Sequence, residues 1–197
     1  MIVITGYSSK IAQEFEAIKA QAVVHEAYRC RAPDDGFPLD ADRYLFCQGL
    51  LRPKQMQDQT DAERAEGFEV NLDSIKRACD AVLEVNDTAR ICVIGSESAY
   101  KGSFDDVYAI SKMLLHSYVE RKELKPGQQL VAISPGIIED AGMTTRRTDK
   151  EALAFRKAEH PMGRFLRARE VAELAHHLLF HQPYLRNTVI RMHGGLK

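Results

Sequence analysis

The first twenty residues, MIVITGYSSKIAQEFEAIKA (1–20), hold a short apolar run, a glycine turn and a helix-like stretch. Ile2-Val-Ile-Thr5 is typical of a buried strand, and Gly6 follows it directly. In the stretch from Ile11 to Ala20, apolar residues recur at the helical period. A strand, a glycine turn and a helix in this order indicate the start of a parallel α/β sheet.

The same alternation continues along the rest of the chain. Further apolar runs lie at Ala22–His25, Arg43–Cys47, Ile91–Ile94, Leu130–Ile133 and Thr188–Met192, with helical stretches near 62–85, 107–123 and 170–180. Strands without polar alternation, separated by helices, indicate a parallel sheet covered on both faces. We therefore predict an α/β fold, a single domain over residues 1–197. Its doubly wound parallel sheet would have about six to seven strands, with helices on both faces.

Composition excludes several classes of protein. The 197 residues are 45% hydrophobic and 28% charged, which fits one globular core and excludes disorder. The formal net charge of −1 argues against nucleic-acid and anionic-membrane partners. No apolar run approaches the ~20 residues that span a bilayer, so we expect a cytoplasmic protein. The four cysteines lack zinc-ligand spacing, and no metal site is predicted.

The residues with the clearest chemistry are Tyr108 and Lys112, which lie four apart in a predicted helix. Side chains at this spacing share one helix face. A free tyrosine titrates near pH ~10, and a nearby ammonium group favours its phenolate, which is useful in acid–base catalysis at a carbonyl or alcohol. The pair alone is a weak signal, because a surface tyrosine and a solvated lysine commonly occur at this spacing.

Surrounding motifs make the pair more specific. Ile94-Gly-Ser96 closes a strand before Tyr108, and Ser134-Pro-Gly136 closes the next one. Asn71, Pro161-Met-Gly-Arg-Phe165, Arg169-Glu-Val-Ala172 and Val189-Ile-Arg-Met-His-Gly-Gly195 complete the set. In this order and spacing the set resembles the short-chain dehydrogenase/reductase family, from Ile2 to Gly195. The resemblance implies a Rossmann-type fold and an oxidoreductase that uses NAD(H) or NADP(H).

The resemblance also implies a catalytic set. Tyr108 would exchange a proton with the substrate oxygen, and Lys112 would lower the pKa of the tyrosine and hold the nicotinamide ribose. Ser96 would orient the substrate carbonyl, with Ser98 as the alternative. Asn71 would interrupt its helix and hold a water in a proton relay to Lys112. Hydride would pass directly between the nicotinamide and the substrate carbon.

The implied cofactor site departs from the family pattern. Its residues would be Gly6, Ser8, Ser9, Lys10, Ile11, Arg29, Asp40, Gly49, Tyr108, Lys112, Pro135, Gly136 and Ile138. Lys10 and Ala12 replace the later glycines of the family's Thr-Gly-x-x-x-Gly-x-Gly loop. Arg29, Arg31 and Lys10 favour the 2′-phosphate of NADP(H), whereas Glu26 favours NAD(H); we expect NADP(H).

Three further segments differ from the family. The middle of the chain is compressed, so Pro38-Leu-Asp40 is the candidate remnant of a third strand, with Asp40 near the adenine. Asp140 stands where the family commonly has a threonine. Residues 143–168 occupy the position of the substrate lid and carry Arg146, Arg147, Arg156, Arg164 and Arg167. These arginines meet an anionic substrate or form a solvated face with Asp149, Glu151 and Glu159.

Two functions are compatible with these residues. The favoured one is an NADP-dependent carbonyl reductase or alcohol dehydrogenase on a small substrate. The alternative is a catalytically silent dinucleotide-binding module that regulates or interacts; a sugar-nucleotide epimerase is disfavoured because the chain lacks the additional C-terminal lobe. The resemblance implies a homodimer or homotetramer through the helices that carry Asn71 and Tyr108. Leu115 and Val119 are compatible with such an interface and equally with the core.

Overall fold

Six parallel strands form one sheet in the computed structural model, which describes residues 1–19, 27–30, 33 and 36–196. The strand order is β2-β1-β3-β4-β5-β6. Their bounds are β1 Ile2–Thr5, β2 Ala27–Cys30, β3 Arg43–Phe46, β4 Arg90–Ile94, β5 Gln129–Pro135 and β6 Thr188–Met192. The predicted doubly wound parallel sheet is confirmed. Because all strands are parallel, their carboxyl ends meet at one edge, where ligands bind in such folds.

Helices cover both faces of the sheet. Their bounds are α1 Lys10–Lys19, α2 Asp61–Phe68, α3 Ser74–Val85, α4 Ser98–Lys101, α5 Asp106–Arg121, α6 Gly142–Thr145, α7 Lys150–Ala158 and α8 Ala168–His181. One core layer joins α1 and α8 to the sheet, and the other joins α3 and α5. Within β1, Ile2 and Ile4 face the first layer and Val3 faces the second. Burial on both faces explains the continuous apolar strands.

The predicted helix over 62–85 is one helical segment with an irregular turn inside it. Between α2 and α3, Glu69–Asp73 form a π-helical turn. Ile75, Cys79 and Val82, which the periodicity placed on one face, are fully buried in the core layer of α3 and α5. Leu115 and Val119 of α5 lie in that layer too, so they belong to the core.

The segment between β2 and β3 corrects the predicted third strand. Pro38–Asp40 are not a strand, and Asp42 just beyond them donates its backbone N–H to Met1 O at 3.2 Å, at the amino edge of the sheet. The described chain therefore places β2 at the end of the sheet. The apolar run Ala22–His25 lies outside the described residues. No helix within the described ranges is long and apolar enough to cross a membrane.

Candidate active site

Helix α5 carries Tyr108 and Lys112 into the sheet's carboxyl edge, where both are buried. Asp105 caps the helix, because its Oδ1 accepts the backbone N–H of Tyr108 at 3.2 Å. Lys112 Nζ lies 5.9 Å from the centroid of the Tyr108 ring. It donates a hydrogen bond of 2.9 Å to Ile94 O at the end of β4. The predicted pair is therefore one group at one strand end.

Ser96 follows β4 and faces the tyrosine. It is buried, and the interaction of its side chain with the phenol lowers the pKa of Tyr108. Ser96 Oγ also accepts the backbone N–H of Ser98 at 3.1 Å. Ser98 begins α4 instead, so the structure places Ser96 rather than Ser98 against Tyr108.

Burial dominates the protonation of the pair. It raises the pKa of Tyr108 above its usual value; the interaction with the Ser96 side chain opposes this shift and the Asp105 charge adds to it. Burial also lowers the pKa of Lys112 to about 8. The tyrosine pKa thus moves opposite to the direction that a neighbouring ammonium alone produces, because desolvation disfavours every charged form. Tyr108 stays a neutral phenol at pH 7 and is able to donate a proton.

Asn71 lies in the π-helical turn and is fully buried. Its Oδ1 accepts the N–H of Leu50 at 2.8 Å, and its Nδ2 donates to Leu50 O at 2.8 Å. In the same turn, Glu69 O accepts both the backbone N–H and the hydroxyl of Ser74. The predicted interruption of the helix is confirmed. The water relay to Lys112 stays a prediction.

The loop after β1 is shaped by Gly6. Its φ is +60°, and a Cβ there would lie 2.4 Å from the backbone nitrogen of Gln48. Only glycine fits this positive φ and close approach. Ser9 then caps α1, because its Oγ accepts the N–H of Ala12 at 3.2 Å. The first-turn amides of Lys10 and Ile11 have no acceptor within a helix, so they are suited to hold an anion.

Gln48, which the sequence analysis missed, lies beside this loop. Thr5 donates its hydroxyl to Gln48 Oε1. Gln48 is 6% exposed, and its Nε2 is buried without a hydrogen-bond partner among the described residues. An orphaned donor at the carboxyl edge is costly unless a ligand or water accepts from it. The signal in sequence was a polar residue between a strand and Gly49.

Residues 143–168 cover part of this edge. A Cβ built on Gly49 would lie 3.2 Å from Met143 Cε and 3.8 Å from Asn71 Oδ1. Met143 and Asn71 therefore both lie close to Gly49. Beside it, a cavity of about 280 Å³ is lined by Glu139, Thr144, Thr145, Lys150, Leu153, Ala154, Lys157 and Phe165. Through Met143 the segment therefore contacts Gly49 at this edge; its role as a substrate lid stays a prediction.

The lid arginines are largely engaged within the protein. Arg147 pairs with Asp149, as the solvated-face interpretation expected, and Arg164 forms two hydrogen bonds with Glu170 of α8. Arg146 Nε donates to Gly142 O at 3.0 Å in its own helix. These contacts favour a structural role over recognition of an anionic substrate.

Solved structures share this fold over nearly all of the chain. An oxidoreductase of the short-chain dehydrogenase/reductase family from Burkholderia thailandensis is 16% identical, with a TM-score of 0.83 over 99% of this chain and 91% of its own. A short-chain dehydrogenase family protein from Francisella tularensis is 17% identical, with a TM-score of 0.82 over 98% of this chain and 97% of its own. An actinorhodin polyketide ketoreductase with NADPH is 18% identical, with a TM-score of 0.79 over 99% of this chain and 96% of its own. No curated protein sequence matches.

A family model of short-chain dehydrogenases, described as enoyl-(acyl carrier protein) reductase, matches residues 41–197. The chain belongs to the short-chain dehydrogenase/reductase family. Its members are oxidoreductases that bind a nicotinamide dinucleotide. The residues that the family model matches begin after the glycine loop, in which Lys10 and Ala12 stand in place of glycines of the family pattern.

Two cations expected at the cofactor's phosphates are paired with carboxylates. Lys10 Nζ lies 2.7 Å from Glu14, which raises the pKa of the lysine, and Asp140 raises it further. Arg29 forms an ion pair with Glu16 of α1. A cofactor phosphate would therefore compete with these acids. Glu26 and Arg31, the other residues of the cofactor prediction, lie outside the described residues.

Three of the remaining predicted cofactor residues lie at the end of β5 or just after it. Pro135 O accepts the N–H of Glu97 at 3.0 Å, and Gly136 donates its N–H to Met192 O at 3.0 Å. Ile138 is buried in a single bridge to Leu166, which ties this loop to the lid.

Asp140, in the threonine's place, has a structural task in this short-chain dehydrogenase/reductase. Its Oδ1 accepts the N–H of Ala168 at 2.9 Å at the start of α8.

Asp40 requires a correction. It precedes β3, so it lies at the amino edge of the sheet, opposite to the carboxyl edge where the cofactor would bind. Its charge acts on Tyr44, raising the pKa of that buried phenol together with the larger effect of burial. Because β2 and β3 are parallel, the chain must return from the carboxyl edge, where β2 ends, to the amino edge, where β3 begins. The number of residues between the two strands did not reveal this. Asp40 is not a cofactor contact.

Proposed function

We propose that this short-chain dehydrogenase/reductase reduces a small carbonyl substrate with NADPH, with Tyr108 as the proton donor. The observation that carries the proposal is the grouping of three buried side chains at the carboxyl edge, with Tyr108 one helical turn from Lys112 and Ser96 just beyond the end of β4. A protein that only bound a dinucleotide would need no such acid–base group. Both directions of the reaction use the same residues, and the neutral phenol favours reduction.

The residues at the carboxyl edge fit a nicotinamide dinucleotide. The orphaned Gln48 Nε2 and the first-turn amides of Lys10 and Ile11 supply donors for the diphosphate. Gly6, Ser8 and Ser9 form the loop that would approach it, and Gly49, Pro135, Gly136 and Ile138 would line the rest. When bound, the cofactor supplies the hydride.

The proposed preference for NADP(H) rests on two cations. Arg29 at the end of β2 and Lys10 at the start of α1 both lie on the side of the sheet where the adenosine would lie. A 2′-phosphate carries more charge than the Glu16 carboxylate and accepts bidentate hydrogen bonds from a guanidinium. We propose that the 2′-phosphate replaces Glu16 as the ion-pair partner of Arg29.

In the proposed reaction, the chain's own residues position the carbonyl and deliver its proton. Ser96 donates a hydrogen bond to the substrate oxygen, and Tyr108 transfers its phenolic proton to that oxygen as charge develops there. The Lys112 ammonium stabilises the phenolate that results. Asn71 holds Leu50 and so fixes the loop that adjoins Gly49. Two paired arginines in the lid support a neutral rather than an anionic substrate.

Cofactor binding is tested first, by titrating the protein with NADPH and NADH and following nicotinamide fluorescence. We expect NADPH to bind at least tenfold more tightly than NADH, and Arg29→Ala or Lys10→Ala to remove most of this difference. Arg77→Ala is the matched control, because Arg77 also pairs with a glutamate but lies on α3. Equal binding of both cofactors would overturn the preference for NADPH.

Turnover is tested next, with a panel of small aldehydes and ketones and NADPH. Tyr108→Phe should lower kcat by about 10²- to 10⁴-fold, because general acid catalysis contributes this much, while the Kd for NADPH stays within twofold. Tyr118→Phe is the control, since Tyr118 is on the same helix and hydrogen-bonded to Asp80 instead. Full activity of Tyr108→Phe would contradict the assigned role.

The second candidate function is a silent dinucleotide-binding module. The contact of Met143 over Gly49 and the carboxylate partners of Lys10 and Arg29 favour it. Tight NADPH binding without turnover of any carbonyl, together with unchanged biological activity of Tyr108→Phe, would establish this function instead.

We also propose a cytoplasmic homodimer or homotetramer. Helix α5 exposes Met113 and Leu114, at 49% and 43%. Neighbouring exposed apolar side chains of this size are suited to pack against a copy. Leu114→Glu should convert the assembly to a monomer in light scattering, while Tyr184→Glu, at a 94% exposed site, should not.

A further inference from the structure

His116 lies one helical turn beyond Lys112 on α5, so Tyr108, Lys112 and His116 form one stripe at steps of four. It is 4% exposed, and none of the roles above uses it. Its Nε2 accepts the backbone N–H of Ser96 at 3.3 Å. In the sequence, the four-residue spacing places His116 on the same helix face as Lys112. Its hydrogen-bond partner, Ser96, lies beyond the end of β4 and could not be predicted from that spacing.

The imidazole packs directly on the backbone at the end of β4. A Cβ on Gly95 would lie 2.1 Å from His116 Nε2, so the ring occupies the space that any other residue would need. On its other side, the Tyr100 ring lies 5.3 Å away between centroids. The Arg191 guanidinium lies 4.1 Å above Tyr100 and pairs with Glu97. These contacts hold the imidazole in place.

The ring is neutral in this position. As an acceptor, Nε2 carries no proton, so the proton is on Nδ1, which is buried without a partner among the described residues. Burial lowers the pKa of His116 to about 4, with Lys112 and Arg191 lowering it and Glu97 raising it. The hydrogen bond to Ser96 therefore persists over the pH range in which the enzyme would work.

We infer that His116 is a positioning residue, which fixes the Ser96 backbone so that the serine hydroxyl meets Tyr108 and the substrate carbonyl. The inference rests on the proposed function, because it assigns Ser96 to the carbonyl. Without the acceptor, the Ser96 N–H would be buried and unpaired, and the peptide would rotate to satisfy it. The hydroxyl attached to that peptide would then lose its alignment.

Two substitutions separate the hydrogen bond from packing. His116→Phe keeps an aromatic ring but removes the acceptor, whereas His116→Gln puts an amide oxygen near the position of Nε2. We expect His116→Phe to lower kcat/KM for the carbonyl at least tenfold with the Kd for NADPH within twofold. His116→Gln should recover activity to within threefold of the wild type. Hydrogen exchange of the Ser96 amide should speed up tenfold in His116→Phe and return in His116→Gln.

The outcomes distinguish this inference from the proposed function. If the wild type reduces no carbonyl, the proposed function fails. If the wild type is active and His116→Phe is equally active, the role of His116 fails while the proposed function stands. Nitrogen chemical shifts of wild-type His116 provide a measurement that needs no variant to fold. The Nδ1–H tautomer at pH 6 supports the inference, and an Nε2–H tautomer or an imidazolium overturns it.

Discussion

The side-chain amide of Asn71 binds both backbone groups of Leu50, with Oδ1 accepting its N–H and Nδ2 donating to its carbonyl, each at 2.8 Å. Two hydrogen bonds from one planar amide fix the backbone of a residue that follows Gly49. Because Asn71 lies in a π-helical turn, its backbone is displaced from the regular helix at the position where this contact is made. The loop after β3 is thereby tied to the helix before β4.

Replacing Asn71 should destabilise the protein and impair cofactor binding. In Asn71→Ala, both Leu50 groups lose their partners, so we expect the free energy of unfolding to fall by about 2–4 kcal/mol. Asn71→Asp keeps an acceptor for the N–H but sets a buried carboxylate oxygen against the Leu50 carbonyl, so it should lose at least as much. Urea denaturation of the two variants measures the difference. An Asn71→Ala protein as stable as the wild type would show that the contact is weak in solution.

Lys112 should reduce stability at neutral pH. Its pKa in the folded protein is about 8, against 10.5 for the free side chain, so the unfolded chain binds more protons between these values. The free energy of unfolding attributable to this residue therefore rises with pH from 8 to 10.5. Lys112→Met should be about 1–3 kcal/mol more stable at pH 7 while losing turnover. Urea denaturation at pH 7 and 10 tests this, and the gain should shrink at the higher pH.

Gly6 and Gly102 form a matched pair for testing the glycine loop. Both have positive φ, +60° and +78°, but only Gly6 lacks space for a Cβ, since nothing lies within 4 Å of the corresponding position at Gly102. Gly102, with ψ 177°, lies in a backbone region that is nearly restricted to glycine, so Gly102→Ala should cost about 1–3 kcal/mol from the backbone alone. Gly6→Ala should cost more, about 3 kcal/mol or above. Melting temperatures give the comparison. Equal losses would mean that the loop moves away from Gln48 at little cost.

Met143 should slow the release of cofactor. It contacts Gly49 from the lid, so Met143→Ala would open this cover and raise the NADPH dissociation rate several-fold. Met162→Ala provides the control, because Met162 is 57% exposed in the same segment. Stopped-flow displacement of NADPH measures both rates. If the two variants release it equally, the lid opens at another point.

The sheet was predictable because local sequence carries its signal. A strand such as Ile91–Ile94 is apolar on both faces, and the helix over 62–85 repeats its apolar residues at a regular step, so neither depends on distant partners for its type. The Asn71 turn was anticipated only through the family resemblance.

Features that depend on distant segments escaped prediction. Asp40 was assigned to the wrong edge, because a linker's length does not tell which way it crosses the sheet. The pKa direction of Tyr108 required the burial that several elements create together. The hydrogen bond between His116 and the Ser96 N–H depends on how α5 packs over the end of β4. The hydrogen bond that Asp140 accepts from Ala168 depends on where α8 begins.

The close approach of Gly95 to His116 constrains how relatives of this chain diverge. Any side chain at position 95 would collide with an imidazole at position 116, so a lineage that replaces Gly95 must also replace His116. Relatives with serine or alanine at 95 should carry a smaller residue at 116, and histidine at 116 should occur only beside glycine. We therefore expect positions 95 and 116 to covary among relatives of this chain.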